Sequence, residues 1–339
     1  MRLPTISAQM SLSQTGQQLA TIPANFTASG TAYGKSFQIW NTQTGQLIKE
    51  ITAPNQTRFD NIAMSHDGKQ VAVVSTNSST SVRQLSVWTV ATGEPLWQKP
   101  LDLTQQMSYS SSSGRSPAQV AFAPDNSEIA ILLVVDSQAV DSSPNSQLRF
   151  YRAKTGETVQ SLDIEAADFT RHSGIIFSPD GQFLASTQLG FVDMWQRNKN
   201  NQFELFKKLP APEGSSRFLD IVFTDSSTLN ISTLIGEGYS ATARLDVWNF
   251  QTDSQPSRTA ATDWYPNDGS SRLSPDGKFY FVHGYIGGSR LRDIRTESYH
   301  NIEQDSFPMS AVFSEDGNRL AIATDKSTSL FTKITSSNP

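Results

Sequence analysis

The chain has 339 residues, 27 Lys and Arg against 32 Asp and Glu, a formal net charge of −5 and no cysteine. The acidic balance argues against a general nucleic-acid binder, which shows a basic excess, and the missing cysteine excludes disulfides, zinc–thiolate sites and thiol nucleophiles. The start, Met1-Arg2-Leu3-Pro4-Thr5, has no apolar leader core, and the longest wholly apolar run, Ile129 to Val135, falls far short of the ~20 residues of a spanning helix, so the sequence predicts a soluble, cytoplasmic protein without membrane insertion.

One pattern recurs in chain order: an apolar run, a tight turn, then a second apolar run. The first copy is Met10-Ser11-Leu12-Ser13-Gln14-Thr15-Gly16, and the second is Ile62-Ala63-Met64-Ser65-His66-Asp67-Gly68. The third is Val120-Ala121-Phe122-Ala123-Pro124-Asp125-Asn126, and the fourth is Ile175-Ile176-Phe177-Ser178-Pro179-Asp180-Gly181. A weaker fifth copy ends at Ser227. The sixth is Leu273-Ser274-Pro275-Asp276-Gly277, and the seventh is Ala311-Val312-Phe313-Ser314-Glu315-Asp316-Gly317. The physics is that of a hairpin. Pro fixes φ, Asp bonds nearby backbone, and Gly or Asn takes positive φ. Alternation on each side predicts two half-buried strands, and Ile129 to Val135 reads as a buried strand. The anchors lie 40 to 58 residues apart, close to the ~40–50-residue period of propeller blades.

A second anchor follows within each unit. Trp40 precedes Thr44-Gly45, Trp88 precedes Thr92-Gly93, and Tyr151 precedes Thr155-Gly156. Trp195 and Trp248 keep the aromatic without the Gly, and Arg292 and Phe331 stand at that position in units six and seven. The turn after the aromatic leads from a third strand into a fourth. The expected architecture is all-β: a single domain over residues 1–339, a seven-bladed β-propeller of four-stranded antiparallel blades, with Trp40, Trp88, Tyr151, Trp195 and Trp248 buried.

The Ser-Pro-Asp-Gly turns, the paired Leu-Ala strands and the aromatic-x4-Gly turns together resemble the WD40-repeat family over essentially the whole chain. The sequence departs from that pattern in two ways. No Gly-His dipeptide opens a repeat, and the Asp after the aromatic survives only at Asp293, with Asn41 and Asn249 as relatives. The family's buried His–Asp network is therefore not carried over, and apolar packing with ladder hydrogen bonds is expected to hold the blades.

His66, His172, His283 and His300 lack ligand spacing, so no metal or cofactor is expected. The Gly-rich stretches 235–239 and 285–289 read as connections between second and third strands. The most specific positional feature lies ten residues before each turn anchor, where the chain enters the innermost strand. Arg58, Arg171 and Arg217 occupy it, with Arg115 one residue earlier in unit three. In a WD40-like propeller that position rims the central channel on the face of the connections between blades. Phe59, Phe218, Trp264, Tyr265 and Phe307 lie nearby, and arginine with aromatics is the composition of binding hot spots. Arg58, Arg115, Arg171, Arg217, Trp264, Tyr265 and Phe307 form the candidate partner-binding set. The alternative is that each arginine pairs with a neighbouring acid such as Asp60, Asp168 or Asp220. The same face is expected to carry insertions at 23–36, 104–117, 136–147 and 233–243.

The leading functional reading is a non-enzymatic protein-interaction scaffold, binding one or more partner proteins or an acidic peptide segment, and no nucleic acid. Two others stand beside it: a hydrolase of sugar-lactonase type, drawing on Asp263, Asp268 or His172, and a module of a larger assembly. Counting strands leaves the seventh unit without a fourth, so Ser327 to Thr332 is expected to be an exposed edge open to strand addition, with at most a few ladder bonds from the N-terminal stub.

Overall fold

The structure is a computed structural model, and it describes residues 1–27, 30–101, 118–133, 145–165, 174–188, 190–236, 241–261, 271–284, 288–304, 306 and 308–332. Among them every regular element is a strand, and no helix is long and apolar enough to cross a membrane. The strands form seven antiparallel sheets in chain order, the seven-bladed β-propeller that the turn spacing predicts.

The first blade contains β2 (Ser7–Leu12), β3 (Gln18–Thr27), β5 (Ser36–Asn41) and β6 (Leu47–Thr52), with β4 (Gly30–Tyr33) paired to the far end of β3. The insertion at 23–36 is therefore a hairpin extension, because residues 24–27 continue the ladder with 30–33. The second blade contains β7 (Thr57–Met64), β8 (Gln70–Asn77), β9 (Arg83–Thr89) and β10 (Pro95–Leu101). The third contains β11 (Ala118–Phe122), β12 (Glu128–Leu133), β13 (Asn145–Arg152) and β14 (Thr158–Glu165), and the fourth β15 (Ile175–Phe177), β16 (Phe183–Gln188), β17 (Phe191–Arg197) and β18 (Phe203–Pro210). The fifth contains β19 (Ser215–Phe223), β20 (Thr228–Ile235), β21 (Thr242–Asn249) and β22 (Ser257–Ala261). The sixth contains β23 (Arg272–Leu273), β24 (Phe279–Gly284), β25 (Gly288–Asp293) and β26 (Tyr299–Ile302). The seventh has the order β27 (Pro308–Phe313), β28 (Arg319–Thr324), β29 (Thr328–Thr332) and β1 (Arg2–Leu3).

That last order corrects an expectation. β29 is followed in its sheet by β1, and Thr328, Ser329 and Leu330 are buried, so this segment is not the exposed edge that strand counting predicts. β1 is only two residues long.

By internal contacts the chain divides into two compact units: Met1–Ala166 with Asp325–Thr328, and Ala167–Thr324 with Ser329–Pro339. In the first, one core joins Phe37 and Ile39 to Phe59, Ile62 and Val73, and another joins Val74, Leu85 and Val87 to Val120, Ile129 and Tyr151. In the second, Phe183, Met194 and Leu209 pack on Phe218, Ile231 and Trp248. Leu234 and Leu245 pack on Tyr280 and Val282, and Phe281 and Leu291 on Phe313 and Ile322. Each cluster joins consecutive blades, so β8, β20 and β24 have an apolar neighbour on either face. Val71 to Val74, Ile129 to Leu133 and Leu320 to Ala323 are all buried. β8 reads as an unbroken apolar run for that reason; the half-buried expectation is corrected for Val71 to Val74 and Leu320 to Ala323, while Ile129 to Leu133 is buried as its apolar run predicts.

The repeat turns show why Ser precedes the variable residue. Ser178 Oγ donates to Asp180 Oδ1 at 2.6 Å and accepts the Phe183 amide at 2.9 Å, while Asp180 Oδ1 accepts the Gln182 amide at 3.0 Å. The same three bonds recur at Ser65–Asp67, Ser274–Asp276 and Ser314–Asp316. Burial opposes ionisation of Asp67 and Asp316, but the amide and serine hydrogen bonds with the nearby Lys69 and Arg319 outweigh it and hold both carboxyls below the usual range. After the aromatic position, which Arg292 fills in the sixth blade, Asn41, Asn249 and Asp293 each accept two backbone amides through Oδ1 and cap the turn into the fourth strand.

Two β-bulges repeat at fixed offsets. On innermost strands the extra residue is Ala8, Asp60, Leu219 or Met309, four residues before the strand's last apolar side chain. On outermost strands it is Ile48, Leu96, Val159, Phe206 or Thr259. The outer bulge distorts the free edge of the blade, a device that discourages edge-to-edge pairing.

Candidate binding surface

Of the predicted set, Arg58 is described in full. It lies near the start of β7, with its side chain 38% exposed, and its Nε stands 2.9 Å from Asp60 Oδ1. Asp60 is the bulge residue of β7 and is buried. The bulge interrupts the alternation of the strand, and Asp60 receives Arg58 on one oxygen and the Thr76 hydroxyl on the other. Burial raises the Asp60 carboxyl above its ordinary value, opposed by Thr76, Arg58 and Arg83. The alternative reading of the arginines, pairing with a neighbouring acid, therefore holds at Arg58.

Arg217 stands at the same register position of β19, one residue before Phe218 as Arg58 is before Phe59. Its side chain, and all of Arg115, Arg171, Trp264, Tyr265 and Phe307, lie outside the described residues, as do His172, Asp263 and Asp268. Phe59 and Phe218 are buried core side chains.

The innermost strands also carry polar side chains that sequence reading missed. Ser11 Oγ accepts the Met64 amide at 2.9 Å, and Asn61 Nδ2 donates to Gln119 Oε1 at 3.4 Å. In the second unit Asp220 Oδ2 accepts the Leu273 amide at 2.7 Å. Burial pushes the Asp220 carboxyl up to about 6 against the pull of Arg272 and the Leu273 and Ile221 amides. These ties stitch one blade's inner strand to the next. A signal for them exists in the sequence: Asn61, Gln119 and Asp220 all sit three residues before the end of the innermost strand, interrupting its apolar run.

Indole N–H groups at the aromatic positions are satisfied, by Thr21 for Trp40, Ser86 for Trp88, Ser186 for Trp195 and the Asp253 carbonyl for Trp248. Trp40, Tyr151, Trp195 and Trp248 are buried and Trp88 is half-buried. Arg292, at that position in the sixth blade, is also buried, with its guanidinium 5.4 Å from the Tyr299 ring centroid and 3.6 Å from Glu297.

No protein-family model matches the chain, and no curated protein matches its sequence. Solved structures do match. Kuenenia stuttgartiensis hydrazine synthase is similar over 97% of this chain and 96% of that chain, with a TM-score of 0.67 and 13% identity. The likeness is one of fold. At such identity the residues of the two proteins have no required correspondence, and the chemistry of a site must come from its own side chains.

Proposed function

We propose that the chain is a non-enzymatic scaffold that binds a partner protein or acidic peptide segment at the ends of its innermost strands. Arg58 is the observation that carries this reading. Asp60 holds its Nε from within the blade while more than a third of the side chain stays open to solvent. An arginine fixed at its stem loses less freedom on meeting a carboxylate, and its planar fork suits bidentate recognition. Arg217 repeats the position in a second blade, and Arg115 and Arg171 extend it by sequence spacing. Among the described residues no group of three His, Asp or Glu could hold a metal ion.

The test is an affinity pull-down from the native cell with wild-type protein and with the Arg115→Ala/Arg171→Ala/Arg217→Ala variant. Arg58 is left in place because its removal strands the buried Asp60. A stoichiometric partner should be recovered by the wild type and lost by the variant, with thermal unfolding unchanged. Equal recovery by both proteins would remove Arg115, Arg171 and Arg217 from the binding surface.

Asp220 supports a second reading, a propeller hydrolase. A carboxyl with pKa about 6, half-buried beside Arg272, is poised for acid–base work near neutral pH. Its hydrogen bond to Leu273 already gives it a structural task, which places this reading second. Loss of a lactonase activity in Asp220→Asn, with folding retained, would reverse the order.

A further inference from the structure

We propose that the β17–β18 hairpin of the fourth blade is a second docking surface, for an acidic segment of a partner protein that carries an apolar side chain. The inference rests on the scaffold reading but uses none of the arginine positions above.

Leu205 and Phe206 are adjacent on β18 and are 52% and 37% exposed. The bulge puts both opposite one point of β17: Leu205 faces Trp195 and Lys207 faces Met194, so Phe206 is the extra residue. A bulge suspends the alternation of a strand, which lets two large apolar groups stand together at the outer edge. Phe206 is braced from behind by Phe183, with ring centroids 5.7 Å apart.

The charge around this pair is unlike that of the whole chain. Residues 197–210 contain Arg197, Lys199, Lys207 and Lys208 against Glu204 alone, within a protein of net charge −5. Lys207 is fixed: its ammonium donates to the Phe250 carbonyl and lies 5.3 Å from the Phe206 ring centroid. Lys208 is exposed and sits 4.5 Å from the centroid of Phe191, and Lys199 is exposed at the hairpin tip. Arg197 is anchored by the Gly181 carbonyl at 2.9 Å and stacks on Phe203 at 4.3 Å. Bulged strands of other blades also expose apolar residues, Leu47 and Ile48 on β6 and Leu96 on β10, but there Lys49 is followed by Glu50, and Glu94 precedes Leu96. The fourth blade alone among these joins the apolar pair to a positive excess.

The occupant follows from those two properties. Ammonium groups beside an apolar anchor select against cationic and neutral partners and favour carboxylates flanking a Leu or Phe. The bulge disfavours simple strand addition along β18, so contact is made through side chains. Two apolar groups form too small a wedge for stable membrane anchoring, which takes a larger buried area or a second signal.

The experiment uses the full chain against arrays of short peptides containing Leu or Phe among Asp and Glu. Sets in which the acids are replaced by Asn and Gln, or by Lys, serve as controls, and phosphatidylserine vesicles are a separate arm. Wild-type protein should select the acidic set. Lys199→Glu/Lys208→Glu should weaken that binding by about tenfold or more and abolish or invert the wild-type fall in binding with salt. Leu205→Ser should weaken it without changing the salt slope. All three side chains are solvent-exposed, and unchanged thermal unfolding would separate lost binding from lost fold. Equal binding of neutral and acidic peptides, insensitivity to all three substitutions, preference for vesicles, or self-association that the charge reversal abolishes would each overturn the proposal. If the Arg115/Arg171/Arg217 variant loses its native partner while these arrays stay blank, the scaffold reading stands and this surface falls.

Discussion

The His66 backbone N–H donates to Asn126 Oδ1 at 2.8 Å. Both residues are departures from the Ser-Pro-Asp-Gly turn: His66 stands where the third, fourth and sixth blades have Pro, and Asn126 where the first, second, fourth, sixth and seventh have Gly. A proline has no N–H to give, and a glycine has no side chain to receive it. The two irregular turns, in consecutive blades, thus complete each other. The His66 ring adds Nε2–H to the Phe122 carbonyl at 3.2 Å, and Asn126 keeps the turn geometry with φ of 59°.

A double-mutant cycle isolates this bond. His66→Pro and Asn126→Gly should each destabilise the chain, Asn126→Gly less because glycine relieves the positive φ. Their coupling in urea unfolding should be about 1 kcal/mol. His66→Ala keeps the amide and should show almost no coupling with Asn126→Gly. Coupling of equal size in both cycles would move the interaction to the ring.

The carboxyls give pH dependences of opposite sign. Asp67 and Asp316 have lowered values, so their contribution is present above the ordinary value of 3.8 and is lost as pH falls through the folded value below it. Asp220 is raised to about 6. The folded state holds that proton more tightly, so its contribution is full below 3.8 and is lost as pH rises through about 6. Asp220→Asn keeps an acceptor for the Leu273 amide. It should therefore gain on the wild type between pH 4 and 7, by about 1–2 kcal/mol after allowance for water access. Asp316→Asn should flatten only the acid limb. Unfolding free energies across pH 3 to 8 check both.

Two glycines of positive φ, Gly156 in the turn into the fourth strand of the third blade and Gly190 between β16 and β17, separate conformation from packing. A Cβ on Gly156, at φ 70°, would meet the Trp97 ring at 2.6 Å, and Trp97 is pinned by its 2.7 Å hydrogen bond to the Ala153 carbonyl. Gly190 has φ 78° with nothing within 4 Å of an added Cβ. Gly190→Ala should cost about 1–2 kcal/mol, the left-handed penalty alone. Gly156→Ala should cost roughly 1–3 kcal/mol more, from overpacking. Similar melting points for the two variants would show that Trp97 yields without penalty.

Asp60→Ala should destabilise the chain by about 2–4 kcal/mol, toward the low end because Arg58 is partly in water. The Arg58→Met/Asp60→Asn pair should recover much of that loss, since the buried acid and its cation leave together. Denaturant titration of the three variants decides the point.

The sequence by itself determined the blade count, the turn positions and the aromatic positions. Those features are local: Ser178 and Asp180 build their turn from atoms within five residues, so their spacing reports the fold directly. It also signalled the arginine of β7, because alignment on the turns brings Arg58 and Arg217 to one register. What Arg58 does was decided only in three dimensions, by a bulge that sets Asp60 beside it and Thr76 across from it. The same holds for the N-terminal segment. A Cβ on Gly45 would meet Met1 Sδ at 2.9 Å, as one on Gly93 would meet Lys49 and one on Gly156 would meet Trp97. Met1 thus stands to the first blade as an outer strand stands to the blade after it, and Thr328 is bonded to Ser7 Oγ and the Thr5 carbonyl. Residues more than 300 positions apart carry no shared pattern in the sequence. Their meeting is a tertiary contact with no local signal, which only the structure resolves.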